Sequence, residues 1–97
     1  MDKKYVISMI ALTSRDKQPR LYILGLTRFE MIPILCDYDD SDVWLFAEDI
    51  KTAKEIWNEY KDKVFEKYGE YIQKKNIFIS EIKMILDKVE DIGERYV

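Results

Sequence analysis

The hydrophobic pattern of the chain changes its period near residue 50, and the part before it has the pattern of β-strands. Residues 4–13 are apolar on both faces of an extended chain, which predicts a strand in the interior of a sheet. A polar connection over residues 14–19 leads to a second predicted strand at residues 20–27, so that the two strands form an antiparallel hairpin. Gly25 within this strand predicts a β-bulge or a close approach of another backbone.

A third extended segment at residues 31–36 contains Pro33. Proline cannot donate a hydrogen bond to a neighbouring strand, so we expect this segment at a sheet edge if it pairs at all. The Asp and Ser residues of the next stretch, residues 37–42, predict a turn. Residues 43–46 are then expected as a short buried strand or as the entry into a helix.

From residue 50 onward, apolar side chains recur at steps of three and four, which predicts an amphipathic helix at about residues 50–73. Asp49 is expected to cap its start, and Thr52 with Glu55 offers an alternative capping box. Gly69 is the expected break, while the run 74–76 would put lysines at the negative end of the helix dipole. The predicted apolar stripe consists of Ile50, Ala53, Ile56, Trp57, Tyr60, Val64, Tyr68, Tyr71 and Ile72.

The pattern of the last segment fits two structures. Residues 77–79 predict the start of another strand, and residues 81–95 fit a continued strand or a helix capped by Ser80. The whole pattern predicts an α+β fold, in which a small antiparallel sheet of three to five strands is covered on one face by the helix at about 50–73. The 97 residues have room for one hydrophobic core, so residues 1–97 are expected to form a single domain.

The composition argues against enzymatic chemistry. The chain has no histidine, which removes the commonest general base and the commonest metal ligand. Its serines therefore have no histidine to activate them, and the single cysteine, Cys36, is expected to be a buried thiol whose pKa the neighbouring carboxylates raise. We expect a protein that is not an enzyme and that has no cofactor and no metal site.

The amino-terminal residues have some features of a secretion signal, because Lys3 and Lys4 precede the apolar stretch 5–12. The stretch is short, contains Ser8 and lacks a small-residue cleavage site, so a strand is the better interpretation. No apolar run approaches the roughly 20 residues that span a bilayer. With one cysteine and no such span, the sequence predicts a cytoplasmic protein without membrane contact.

The charge distribution provides the sharpest functional hypothesis. Residues 1–36 carry a net charge of +3 and residues 50–97 a net charge of zero, whereas residues 37–49 carry six acidic and no basic residues. We call residues 37–49 the acidic loop. Its carboxylates could bind a basic groove on another macromolecule, with Tyr38 as a contact and Trp44 as the anchor at its base. The candidate partner-binding residues are Asp37, Tyr38, Asp39, Asp40, Asp42 and Trp44.

Two other interpretations of the acidic loop stay open. The loop is also consistent with a solvated turn whose carboxylates stabilise the start of the helix. It also resembles a calcium-binding EF-hand loop, with Asp37, Asp39, Ser41 and Glu48 at ligand spacing. Against the calcium site, Asp42 replaces the glycine of the sharp turn, and Pro33 argues against an entering helix.

The alternative function is nucleic-acid binding through the basic hairpin, with Arg15, Lys17 and Arg20 contacting phosphates. The overall acidity of the chain, with a pI near 5.0, makes this the weaker hypothesis. Thirteen aromatic side chains in 97 residues, together with a sheet edge, favour binding of a protein partner or homodimerisation.

The order of the predicted segments resembles that of small accessory proteins of phages and mobile elements, a loose class that includes anti-CRISPR inhibitors. The resemblance rests on the strand-to-helix junction in which Leu45-Phe46 is followed by the run Asp49-Ile50-Lys51-Thr52-Ala53-Lys54. It implies a cytoplasmic protein, in the host cytoplasm if it is encoded by a phage, that acts by binding. An inhibitor of a host defence complex or of a nucleic-acid-processing complex is the implied function.

Overall fold

Five antiparallel strands and one α-helix make up the computed structural model, which describes residues 3–93. The strands are β1 (Tyr5–Ala11), β2 (Arg20–Leu26), β3 (Pro33–Cys36), β4 (Ile72–Ile82) and β5 (Leu86–Asp91), and the helix is α1 (Ile50–Tyr68). The strands form one sheet in the order β3-β2-β1-β4-β5. The predicted α+β fold, with one helix on one face of an antiparallel sheet, is confirmed.

The centre of the sheet is β1, as its apolar residues on both faces predicted. It pairs with β2 in the expected hairpin, from Ala11 opposite Arg20 to Ser8 opposite Ile23. On its other side it pairs with β4. The third segment, β3, pairs only with β2 and begins at Pro33, which agrees with its expected place at an edge.

The helix α1 covers one face of the sheet, which we call the helix face. Asp49 caps its start, because the carboxylate accepts a hydrogen bond of 2.7 Å from the backbone N–H of Thr52. The helix contributes Ala53, Trp57 and Val64 to the core. The apolar core under it also contains Ile7, Met9, Ala11, Tyr22, Leu24, Ala47, Ile72, Ile77 and Ile79. Among the described residues, no helix is long and apolar enough to cross a membrane.

The helix ends earlier than the predicted residue 73. Gly69 follows its last residue, Tyr68, and the N–H of Tyr71 closes a turn onto the carbonyl of Tyr68 at 2.8 Å. The carbonyl of Tyr71 then accepts a hydrogen bond from Leu12 at 2.9 Å, and β4 begins at Ile72. The prediction that residues 74–76 end the helix is therefore wrong, because they lie in β4, where both lysines are exposed.

The ambiguous last segment is a β-hairpin. Strand β4 continues to Ile82, a turn occupies residues 83–85, and β5 returns alongside β4. Ser80 caps no helix, since it lies buried in β4 opposite Lys88. Residues 94 and 95 of the segment lie outside the described residues.

The opposite side of the sheet, which we call the loop face, is covered by the acidic loop. The regular pairing of β1 with β2 ends at Ser8 and Ile23. Beyond these residues, backbone groups of both strands form hydrogen bonds with a segment of the acidic loop. Leu45 donates to the carbonyl of Leu24 at 3.0 Å, and Ala47 exchanges backbone hydrogen bonds with Tyr5, two of them at 2.9 Å. Because the other side of β2 is paired with β3, residues 44–47 lie between the ends of β1 and β2.

The side chains of this inserted segment alternate as in a strand. Trp44 and Phe46 pack in the cluster of the loop face, whereas Leu45 and Ala47 pack in the core of the helix face. The expected short buried strand at residues 43–46 is thus present as isolated bridges, one of them between Gly25 and Trp44. A Cβ atom on Gly25 would lie 2.4 Å from the carbonyl oxygen of Val43, so the predicted close backbone approach at Gly25 is confirmed.

Candidate partner-binding loop

The base of the acidic loop is anchored by Trp44. Its side chain is 8% exposed and packs with Val6, Ile23 and Cys36. Its indole N–H donates a hydrogen bond of 3.1 Å to the backbone carbonyl of Asp37, which closes the loop on itself. This packing is the one expected of an anchor at the base of the loop, and it leaves Trp44 little surface to offer a partner.

Tyr38 joins the acidic loop to a distant part of the chain. Its ring packs edge-on against Trp44, with centroids 5.6 Å apart, and its hydroxyl donates a hydrogen bond of 3.1 Å to the carbonyl of Met84 in the β4–β5 turn. Tyr38 as a whole residue is 52% exposed. Tyr38 therefore holds the loop in place with its hydroxyl and still presents a ring face to solvent.

Two of the four aspartates near the tip are paired with arginines of β2 and the loop after it. Asp37 accepts a hydrogen bond of 3.3 Å from Arg20, and Asp42 forms an ion pair with Arg28. These pairs are exposed, so each contributes little to stability, about 0–1 kcal/mol. Their effect is to neutralise the two outer carboxylates and to fix the loop to its neighbours.

Asp39 and Asp40 differ from their two neighbours. Both are exposed, and neither makes a hydrogen bond or an ion pair with any residue from 3 to 93 through its side chain. Asp40 precedes the single 3-10 turn Ser41–Val43 but does not cap it with its side chain. The loop therefore presents two unpaired negative charges next to the exposed ring of Tyr38.

The electrostatic effect of these carboxylates is visible at Cys36, directly below the loop. Burial, followed by the charges of Asp40, Asp37 and Asp42, raises the pKa of this thiol to about 11. The cysteine is 2% exposed. It is consequently a protonated, inaccessible thiol near neutral pH, as the sequence predicted, and has no nucleophilic character.

The calcium interpretation lacks its structural context. The strand β3, not a helix, enters the loop, and no group of three acidic or thiol side chains within the described part of the chain is arranged to hold a metal ion. Two of the candidate ligands at EF-hand spacing lie in different elements. Ser41 is in the 3-10 turn, and Glu48 precedes the residue that caps the helix.

The basic residues of the predicted hairpin do not form one patch. Arg15 and Lys17 are exposed in the β1–β2 connection, whereas Arg20 is engaged with Asp16 and Asp37. The Tyr22 ring is 3% exposed and is closed to stacking by a base, whereas Phe29, which is 95% exposed, lies in the loop after β2. The alternative site therefore consists of two exposed cations in a loop.

Two residues outside the predicted site also shape this region. Met84 supplies the acceptor for Tyr38 from a position 46 residues further along the chain. Asp16 is buried to 3% exposure in the β1–β2 connection, where Tyr22 donates to it at 2.7 Å. Hydrogen bonds from Tyr22 and Thr13 lower the pKa of Asp16 to about 2. A Thr-x-x-Asp pattern at the start of a polar connection is the signal that could have indicated this turn.

Comparison of the chain with known protein families, with curated proteins and with solved structures finds no match. The assignment of function therefore rests on the geometry of the chain itself.

Proposed function

We propose that this protein acts without catalysis, by binding a protein partner through its acidic loop. The observation that carries the proposal is the pair Asp39 and Asp40, which are exposed and have no side-chain partner among residues 3–93, on a loop that is otherwise fixed to the sheet. In line with the resemblance drawn from its sequence, we propose an accessory inhibitor of a host defence or nucleic-acid-processing complex that works in the cytoplasm.

Preorganisation supports this proposal. The acidic loop is held by Trp44 at its base, by Tyr38 on one side and by the Arg28–Asp42 pair on the other. A loop that is already ordered loses little conformational entropy when it binds. Binding of a basic surface by the two carboxylates therefore loses less affinity to the ordering of the loop than it would if the same carboxylates lay on a flexible turn.

Charge supports a basic partner surface. Unpaired carboxylates attract a basic patch over the distance of a Debye length, which raises the association rate and disfavours acidic surfaces. Tyr38 adds an amphipathic ring of the type enriched at protein interfaces. The partner is accordingly expected to present lysine or arginine residues around a contact for one aromatic ring.

A second candidate function rests on Arg15 and Lys17. Neither residue has an ion-pair partner among residues 3–93, so both are available to phosphates. Binding of a nucleic acid by these two cations would be weak and would fall steeply with salt.

The test is affinity capture from a lysate of the host cell, with and without nuclease, with the wild type and three double variants. Asp39→Lys/Asp40→Lys reverses the two unpaired charges and leaves Asp42 paired. Glu55→Lys/Glu59→Lys is the matched control, because it makes the same charge change at two exposed helix positions. We expect a nuclease-resistant protein that binds the wild type and the control but not the loop variant.

Other results would contradict the proposal. Equal capture by both charge-reversal variants would show that the loop is not the site. A partner that disappears on nuclease treatment, or on Arg15→Glu/Lys17→Glu substitution, would move the function to the basic connection.

A further inference from the structure

The loop between β2 and β3, residues 27–32, holds an unusual conformation by internal hydrogen bonds. Thr27 donates its N–H to the carbonyl of Ile32 at 3.0 Å, and its hydroxyl accepts the N–H of Ile32 at 3.0 Å. Met31 donates to the carbonyl of Thr27 at 3.2 Å and has a φ of 55°, in the left-handed region that a side chain makes unfavourable. The loop is thus a closed, strained structure and not a loose connection.

This rigid loop presents an apolar ring to solvent. The Phe29 side chain is 95% exposed and makes no ring contact with any residue from 3 to 93. Met31 and Ile32 beside it are 54% and 38% exposed. An aromatic anchor presented by an ordered loop is typical of the centre of a protein interface.

A groove of about 530 Å³ lies between this loop and the helix, and its lining begins at Glu30, the residue that follows Phe29 in the chain. Met31, Ile32 and Pro33 line it from the loop, and Lys63, Glu66 and Lys67 line it from α1. Glu30 completes the lining. Within the described residues, Glu30, Lys63 and Glu66 make no ion pair, so charges of both signs remain unpaired around an apolar floor.

These features are self-complementary, because one patch contains an exposed ring, a groove that can accept a ring, and unpaired charges of both signs. A two-fold interface requires that the same patch on each copy complement itself. We propose that the groove is occupied by a second copy of this chain, in a symmetric dimer. Phe29 of each copy enters the groove of the other, and Glu30 of the entering loop pairs with Lys63 of the receiving helix.

The sheet edges offer a poorer route to a dimer. Strand β5 carries Asp87, Lys88 and Asp91 and faces a bulge in its pairing with β4. The other edge, β3, has four residues and begins with Pro33. Charges, a bulge and a short, proline-containing edge are the features that prevent strand addition. The proposed dimer does not depend on the function of the acidic loop, and it would carry two such loops.

The test is sedimentation equilibrium of the purified full chain over a series of micromolar concentrations. We expect the wild type to approach the mass of two 11.7 kDa chains as the concentration rises. Phe29→Ser is expected to remain monomeric. Met84→Ser is the matched control, because its side chain is 97% exposed in a different turn, and it is expected to dimerise like the wild type.

Exchanging the two charges of the proposed ion pair distinguishes the loss of this contact from a loss of folding. Glu30→Lys and Lys63→Glu are each expected to be monomeric, because each places like charges opposite one another in the dimer. An equimolar mixture of the two variants restores both ion pairs and is expected to dimerise. A wild type that stays monomeric at all concentrations, a Phe29→Ser dimer, or a mixture that stays monomeric would overturn the proposal.

Discussion

The helix face and the loop face of the sheet both bury apolar side chains, but different elements cover them. On the helix face, nineteen residues of regular helix bring Trp57 and Val64 onto the aliphatic side chains of the central strands. On the loop face, an irregular segment brings Trp44 onto Val6 and Ile23. The acidic loop is therefore a structural layer of the domain, although its composition resembles that of a solvated turn.

The two faces also differ in whether their buried polar groups are hydrogen-bonded. The buried Ser8 and Ser80 hydroxyls have no hydrogen-bond partner among the described residues. Ser80 lies opposite Val6 across the β1–β4 pairing, and Ser8 lies two residues from Val6, so both point to the loop face. The loop face therefore contains unsatisfied polar groups, which burial makes unfavourable.

The two tryptophans give the largest expected effect. Trp57→Ala is expected to lower the free energy of unfolding by about 3–5 kcal/mol, and Trp44→Ala by a similar amount, because both rings are buried. Urea denaturation measures both values. Trp44→Phe keeps an aromatic ring but removes the indole hydrogen bond and part of the ring volume, so its expected loss is smaller than that of Trp44→Ala. A negligible loss for Trp44→Ala would mean that the loop is not a packed layer.

Gly25→Ala tests the contact between the loop and β2. The added methyl group would meet the Val43 carbonyl oxygen and the Cys36 sulfur, at 2.4 and 2.5 Å before any movement. Displacement of the loop is expected to cost about 1–3 kcal/mol, measured by thermal unfolding. The fluorescence of Trp44 is expected to shift towards that of an exposed indole. An unchanged melting temperature would contradict the close approach.

The unpartnered serines predict an increase in stability. Ser8→Ala and Ser80→Ala each remove a buried hydroxyl that has no partner within residues 3–93, so each is expected to stabilise the fold by about 1 kcal/mol. Ser14→Ala, at an exposed position, is the control and is expected to have almost no effect. A clear loss of stability in either buried variant would show that the hydroxyl is satisfied in solution.

Asp16, at the rim of the helix face, is expected to affect the stability of the fold only at acidic pH. Its folded pKa, about 2, lies below its ordinary value of 3.8, because Tyr22 and Thr13 donate hydrogen bonds to the ionised form. Its contribution to stability is therefore complete above about pH 4 and is lost as the pH falls towards 2. Asp16→Asn is expected to flatten the stability profile in this range, whereas Asp62→Asn, on the exposed face of α1, is expected to leave it unchanged.

The regular parts of this architecture follow from local patterns in the sequence. The spacing of apolar residues from Ile50 and the capping chemistry of Asp49 are local signals, and both agree with α1. The same kind of signal misled the prediction after Gly69, because Tyr71 and Ile72 continue the helical spacing while tertiary hydrogen bonding to β1 makes them extended. At these residues the spacing of apolar side chains favours a helix, but the long-range hydrogen bonds to another strand determine the structure that forms.

The candidate site was predictable in composition but not in geometry. The acidic run is evident in the sequence, and so is the role of Trp44 as an apolar anchor within it. The hydrogen bond from Tyr38 to Met84 joins residues 46 positions apart, and no local pattern specifies it. The ion pair between Asp42 and Arg28 also depends on the fold and not on a local pattern. This pair is one reason why Asp42 is neutralised and Asp39 and Asp40 are not.

Amide hydrogen exchange of the free protein measures whether the acidic loop is a fixed layer of the domain. The amides of Leu45 and Ala47 donate to Leu24 and Tyr5, so they are expected to exchange as slowly as the amides of β1. Asp39, whose side chain is exposed at the tip, serves as the internal reference for a rapidly exchanging position. Exchange of Leu45 and Ala47 at the rate of Asp39 would contradict the claim and return the loop to a solvated turn.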